Sequence, residues 1–123
     1  PPKSWLTHAE QKRYKFFISL EGNDVATNLK WGMASNMLVM SPRLQFETWF
    51  MEGLLKPGIH FVLLKDDLSD LEDKVDYFTA HPDAAEKIIG NAHKWISMFT
   101  DPRKERIIAM RVLETYFRLS GQL

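Results

Sequence analysis

Apolar and polar residues along this chain change their spacing several times, and each change marks an element. Thr7 and Glu10 have the spacing of a capping box and predict a short helix over 9–13. Residues 14–20 are aromatic and β-branched and read as a strand. Glu21-Gly22-Asn23-Asp24 breaks that pattern. Leu29 and Met33, with Val25 and Ala26, then form the inner face of a helix predicted over 25–35, with Asn36 at its end. Met37-Leu38-Val39-Met40 is a continuous apolar run of the kind buried on both faces of a parallel sheet, and Ser41-Pro42 stops it. Phe46, Trp49, Phe50 and Leu54 recur at helical spacing and predict a helix over 46–55, ended by Lys56-Pro57-Gly58. Residues 59–64 read as a third strand. Ser69 and Glu72 repeat the capping-box spacing ahead of a helix reaching Ala80. Pro82 and Pro102 suit the first positions of two further helices, the last ending near Ser120-Gly121.

Strand, helix, strand, helix, strand and a helical tail imply βαβ units and a parallel sheet. The expected class is therefore α/β, a Rossmann-like parallel sheet with flanking helices and a helical C-terminal tail. A length of 123 residues fits one domain, 1–123, able to bury roughly two-thirds of its unfolded surface. The chain begins Pro1-Pro2-Lys3, without Met, and is expected to be a piece of a longer protein with further strands upstream.

Composition narrows the chemistry. Lys plus Arg and Asp plus Glu both total 16, so no global field draws the chain to nucleic acid, and no nucleic-acid partner is expected. The absence of cysteine excludes disulfides, thiolate metal sites and cysteine nucleophiles, and fits a reducing compartment. No run approaches the roughly 18 apolar residues that span a bilayer. His8, His81 and His93 lack metal-ligand spacing, and the acidic run Asp66, Asp67, Asp70, Glu72, Asp73 and Asp76 lacks the glycine and ligand order of a calcium loop. No metal and no cofactor are expected. His60 reads as a structural histidine.

The informative stretch is Gly22, Asn23, Asp24, Val25, Ala26, Thr27, Asn28 and Lys30, just after a strand and opening a helix. Ligands of open α/β sheets bind beyond the carboxyl ends of the strands, where a helix start offers unpaired amides to a diphosphate. Gly22 would permit close backbone approach or a positive φ. Thr27 and Asn28 could add side-chain donors, and Lys30 a neutralising charge. The same residues also suit an ordinary turn, with Asn23 or Asp24 capping the helix. On spacing alone both readings stand. Ser41 and Arg43 lie in the loop after the second strand, where Arg43 could pair with phosphate. Glu47 could accept from paired ribose hydroxyls or simply favour a helix start.

Residues 14–31, 46–64 and 65–71 resemble, in order, three blocks of glycosyltransferase family 90. The resemblance implies half of a GT-B architecture, two Rossmann-like domains facing across a cleft. It implies that this half holds a nucleotide diphosphate sugar, a UDP-glucose or UDP-xylose type donor, for inverting transfer to a glycan or lipopolysaccharide acceptor. The general base would be an Asp of the missing N-terminal domain, so no catalytic residue is expected here, and metal is generally not required. Some relatives carry a diphosphate-binding Arg where Asn28 stands, many carry Ser where Ala26 stands, and Gly58 replaces a usual Trp. The alternative is a non-catalytic α/β binding module of the same fold. Bacterial members imply a cytoplasmic enzyme of surface-polysaccharide synthesis, eukaryotic members a secretory lumen. Arg103, Lys104, Arg106, Arg111 and Arg118 make the last helix basic. Ile107, Ile108, Met110, Leu113 and Phe117 give it one apolar stripe, expected to pack back across the domain pair or to touch anionic lipid.

Overall fold

The computed structural model describes residues 6–122. Among them, three strands, β1 (Phe16–Ile18), β2 (Leu38–Ser41) and β3 (Val62–Leu63), form one parallel sheet in the order β1-β2-β3. Phe16 pairs with Leu38 and Ile18 with Met40; Met40 pairs with Val62 and Ser41 with Leu63. The helices are α1 (His8–Gln11), α2 (Asn28–Met33), α3 (Leu71–Ala80), α4 (Pro82–Ser97) and α5 (Pro102–Leu119), with a 3₁₀ turn at Glu52–Leu54. The α/β class and the parallel sheet agree with the sequence pattern.

The central strand explains the sheet. All four β2 residues are buried, and they alternate between two cores. Val39 packs with Leu29, Met33, Phe50 and Phe61 on one face, while Leu38 and Met40 pack with Val62, Leu64 and Ile88 on the other. A strand covered on both faces must be apolar at every position, which is why 37–40 carries no alternation. Phe16 and Phe17 divide between the same two cores. At Gly32 an added Cβ would stand 2.8 Å from the Phe17 ring, so the close approach of α2 to β1 needs a residue without a side chain.

The capping box at α1 forms as its spacing predicts. Thr7 accepts from the Glu10 amide, and the Glu10 carboxylate accepts from the Thr7 N–H at 2.8 Å. The second one does not form: Asp70 is the N-cap of α3 and makes no cap bond, its carboxylate accepting instead from the Lys65 N–H at 2.9 Å. The strands are shorter than 14–20 and 59–64. The first helix over 25–35 contracts to Asn28–Met33, ending at Ala34 rather than Asn36. Neither Asn23 nor Asp24 caps it; Asp24 Oδ1 accepts from the adjacent Val25 N–H at 2.7 Å.

The helix over 46–55 does not exist. Residues 42–51 form an extended strap, and only Glu52–Leu54 coils. Met51 adopts a left-handed φ of 55°, which breaks any helix through it. The Glu52 carboxylate accepts from the Thr48 N–H at 2.7 Å and the Thr48 hydroxyl at 2.8 Å, and that hydroxyl accepts from the Phe50 N–H at 3.2 Å. Such side-chain bonds give the backbone an alternative to the helical ladder. Of the apolar quartet only Phe50 is buried, whereas Trp49 keeps 65% of its surface exposed.

The last helix also departs from expectation. The stripe of Ile107, Ile108, Met110 and Leu113 is exposed rather than buried, and α5 buries none of its residues. No helix among the described residues is long and apolar enough to cross a membrane.

Candidate functional site

A cleft of about 300 Å³ lies at the carboxyl ends of all three strands. Leu20 and Glu21 enter it after β1, Ser41 from the last position of β2, Pro42, Arg43 and Gln45 after that strand, and Asp66 and Leu68 after β3. Parallel strands end their backbone ladders on one side, and the loops that follow are free to carry function; this is where open α/β sheets take their ligands. Arg43 lies in the loop after β2, as its place in the sequence suggests, whereas Ser41 is the buried last residue of β2 itself and not a loop residue. The Arg43 guanidinium has no ion-pair or hydrogen-bond partner among the described residues and is exposed.

The segment 22–28 continues from Glu21 into α2. Two of its amides are used internally: Gly22 N–H donates to the Asp24 carbonyl at 3.2 Å, and Val25 N–H to Asp24 Oδ1. The amides of Asn23, Asp24, Ala26, Thr27 and Asn28 have no partner among the described residues. Gly22 does not adopt a positive φ, and a Cβ built there meets nothing within 4 Å. The fold itself therefore does not require glycine at that position. Ala26 is buried, Thr27 is the N-cap of α2 without a side-chain bond, and Asn28 Oδ1 accepts from the hydroxyl of the fully buried Ser19 at 2.9 Å. That bond leaves the Asn28 NH₂ group unpartnered among the described residues.

Lys30 is turned away from the cleft. Its Nζ donates to Glu52 Oε1 at 2.9 Å and lies over the rings of Trp49 and Phe50, 5.5 and 5.3 Å from their centroids. It is the partner of a buried carboxylate, not an idle cation. Burial pushes the Glu52 carboxyl up, but the Lys30 ammonium and the Thr48 N–H and hydroxyl outweigh it and hold the carboxyl below its ordinary value. Glu47 is exposed on the strap, its carboxylate 3.3 Å from where a Cβ of Gly53 would stand. It does not line the cleft.

Several residues of this region were not singled out by sequence reasoning. Glu52 and Thr48 lay inside the supposed helix, where a carboxylate four residues after a threonine reads as surface. Glu21 was read only as a strand breaker, yet its carboxylate accepts from the Gln45 N–H at 2.7 Å and the Phe46 N–H at 3.4 Å. Asp66 was one of an acidic run. Asp67 and Asp70 are tied to the Ser69 and Lys65 amides, whereas Asp66 reaches the cleft. Among the described residues no three His, Cys, Asp or Glu side chains gather into a group that could hold a metal ion.

His60 sits under α4, its ring 5.2 Å from that of Trp95, and its Nδ1 accepts from the Lys56 N–H at 2.9 Å. Burial and then the charge of Lys56 hold its pKa below the usual 6.5. Protonation would put two donors face to face. The unfolded chain takes up this proton first, so stability is expected to fall as pH drops from 6.5 through the folded value. Denaturation midpoints measured between pH 7.5 and 5 check this, and His60→Gln should flatten that part of the profile.

The model of the family described as "Glycosyl transferase family 90" matches residues 3–119. The chain belongs to glycosyl transferase family 90. It is 48% identical over 117 residues to the O-glucosyltransferase LpsA of Dichelobacter nodosus, covering 95% of this chain and 37% of that protein. It is 31% identical over 105 residues to the uncharacterized protein 035R of Invertebrate iridescent virus 3, covering 84% of this chain and 9% of that one. Protein O-glucosyltransferase 2 of Danio rerio is 30% identical over 77 residues, 62% of this chain and 15% of its own length. The chain thus spans little more than a third of the bacterial relative and far less of the other two.

Proposed function

We propose that the whole protein is a glycosyltransferase and that this chain is its donor-holding half, the Rossmann-like C-terminal part of a GT-B pair. The donor is a nucleotide diphosphate sugar of the UDP-glucose or UDP-xylose class, and the transfer is inverting, to a hydroxyl of a glycan or lipopolysaccharide core. The observation that carries the reading is the cleft at the strand ends, whose lining residue Glu21 leads directly into a segment with five unpartnered amides, in a family 90 chain; residues 22–28 themselves do not line the cleft. Amides preorganised beside the departing diphosphate stabilise the charge that grows on it in an oxocarbenium-like transition state. Arg43 adds a cation in the cleft, and Ser41, Thr27 and the Asn28 NH₂ group add donors; Glu47, which does not line the cleft, is not among the donor contacts. The base comes from the N-terminal part of the protein, in keeping with a chain that covers 37% of its bacterial relative. Such an enzyme works in the cytoplasm on surface polysaccharide, with α5 against its partner domain or the membrane surface.

The second reading, a binding module without turnover, is favoured by Asn28, which supplies no charge, and by Ala26, which supplies no hydroxyl. Titration of the full-length protein with UDP and UDP-sugars separates the two. Saturable binding of UDP and transfer from a UDP-sugar are expected; no saturable binding would favour the module. The isolated 123-residue chain should transfer no sugar, and turnover by it alone would contradict the placement of the base.

A further inference from the structure

The strap 42–51 makes no regular ladder, yet it is fastened at two points by carboxylates. Near its start, Glu21 accepts from the Gln45 and Phe46 amides at 2.7 and 3.4 Å. Near its end, Glu52 accepts from the Thr48 N–H at 2.7 Å and the Thr48 hydroxyl at 2.8 Å, and the Lys30 ammonium holds the same carboxylate at 2.9 Å. The two clamps are anchored on either side of one segment. Glu21 directly precedes Gly22, and Lys30 lies in α2, the helix that the segment enters. The strap carries Arg43 between β2 and the first clamp, and Glu47 between the two clamps.

We infer that Glu52, with Lys30 and Thr48, and Glu21 are positioning residues, which lock the strap bearing Arg43 in register with the loop 22–28 so that the two together fit one donor. This rests on the donor-binding reading above. A ligand spanning both segments needs them placed together before it arrives; a free strap would have to be ordered by the ligand, at the expense of affinity. Glu52 is only 2% exposed and cannot itself touch a ligand in the cleft, so an effect of the Glu52 clamp on the donor must travel through the strap. Charge-assisted bonds to backbone N–H groups are among the stronger hydrogen bonds and suit such a fastening.

The test uses the full-length enzyme with a UDP-sugar donor. T48V removes the hydroxyl that donates to Glu52 and accepts from the Phe50 N–H, and the double variant K30M/E52M removes the ion pair while keeping an apolar volume in its place, so that the protein stays folded. In both, amide hydrogen exchange over residues 45–50 should quicken at least tenfold. Donor KM should rise about tenfold, with kcat changed less than threefold, whereas K30R, which keeps a cation on Glu52, should retain the wild-type KM. A merely structural role would lower the folded fraction and leave donor KM where it was. Faster strap exchange with unchanged donor KM, or unchanged exchange in folded variants, overturns the inference. Failure of the parent reading looks different: the wild-type enzyme itself then shows no saturable donor, and the inference falls with it.

Discussion

Lys30→Met should lower the stability of the protein by about 3 kcal/mol, at the lower end of the range for breaking a buried ion pair from one side. The low end applies because the Lys30 side chain retains 22% exposure while that of Glu52 retains 1%. Removing the ammonium leaves a buried carboxylate with only the Thr48 N–H and hydroxyl as donors. The pH dependence should also weaken. In the wild type the carboxyl is held below its unfolded value of 4.5, so its contribution is present above that value and is lost as pH falls through the folded one. Without Lys30, burial is opposed only by the Thr48 and backbone hydrogen bonds, so the folded value should lie higher than in the wild type. The variant should then lose less of its stability than the wild type as pH falls toward 4.5. Chemical denaturation at pH 7 and at pH 4.5 reads both effects: a loss at pH 7 below about 0.5 kcal/mol, the scale of an ordinary surface change, would mean that the pair is not buried in solution.

Gly22→Val should weaken UDP-sugar binding by the full-length enzyme at least tenfold, or about 1.4 kcal/mol, and leave its denaturation midpoint unchanged. The two halves of this expectation have separate grounds. A Cβ at Gly22 meets no protein atom within 4 Å and the backbone there is not left-handed, so the fold tolerates a side chain. A bound diphosphate on the amides of 23–28 would not tolerate it, because the added atoms occupy the approach. Unchanged donor affinity in a normally stable variant would move the diphosphate elsewhere, and Arg43 with Asp66 would become the residues to examine next.

Much of this architecture was legible in the order of residues. The uninterrupted apolar run 37–40 marked a strand buried on both faces, because only a residue apolar at every position suits two cores at once. Pro82 and Pro102 marked helix starts, since the missing N–H is one a first turn leaves unpaired. Thr7 and Glu10 marked α1 because their bonds are local. The helix over 46–55 was misread for the opposite reason. Its apolar spacing was helical, but Glu52 is bound to Lys30, 22 residues earlier, and local periodicity carries no trace of such a partner. The stripe on α5 was correctly read as amphipathic, yet amphipathicity names a face and not what covers it.

By itself the order of residues determined the elements set by short-range physics: where strands are wholly apolar, where caps and prolines begin helices, and which family motifs follow one another. Tertiary structure decided what depends on distant partners. It turned Lys30 inward to Glu52, drew Glu21 onto the strap, and brought Leu20, Arg43 and Asp66 from three separate loops to one cleft. Charges and hydrogen-bond donors act over a few ångströms of space, whatever their separation along the chain, and only folding sets that distance.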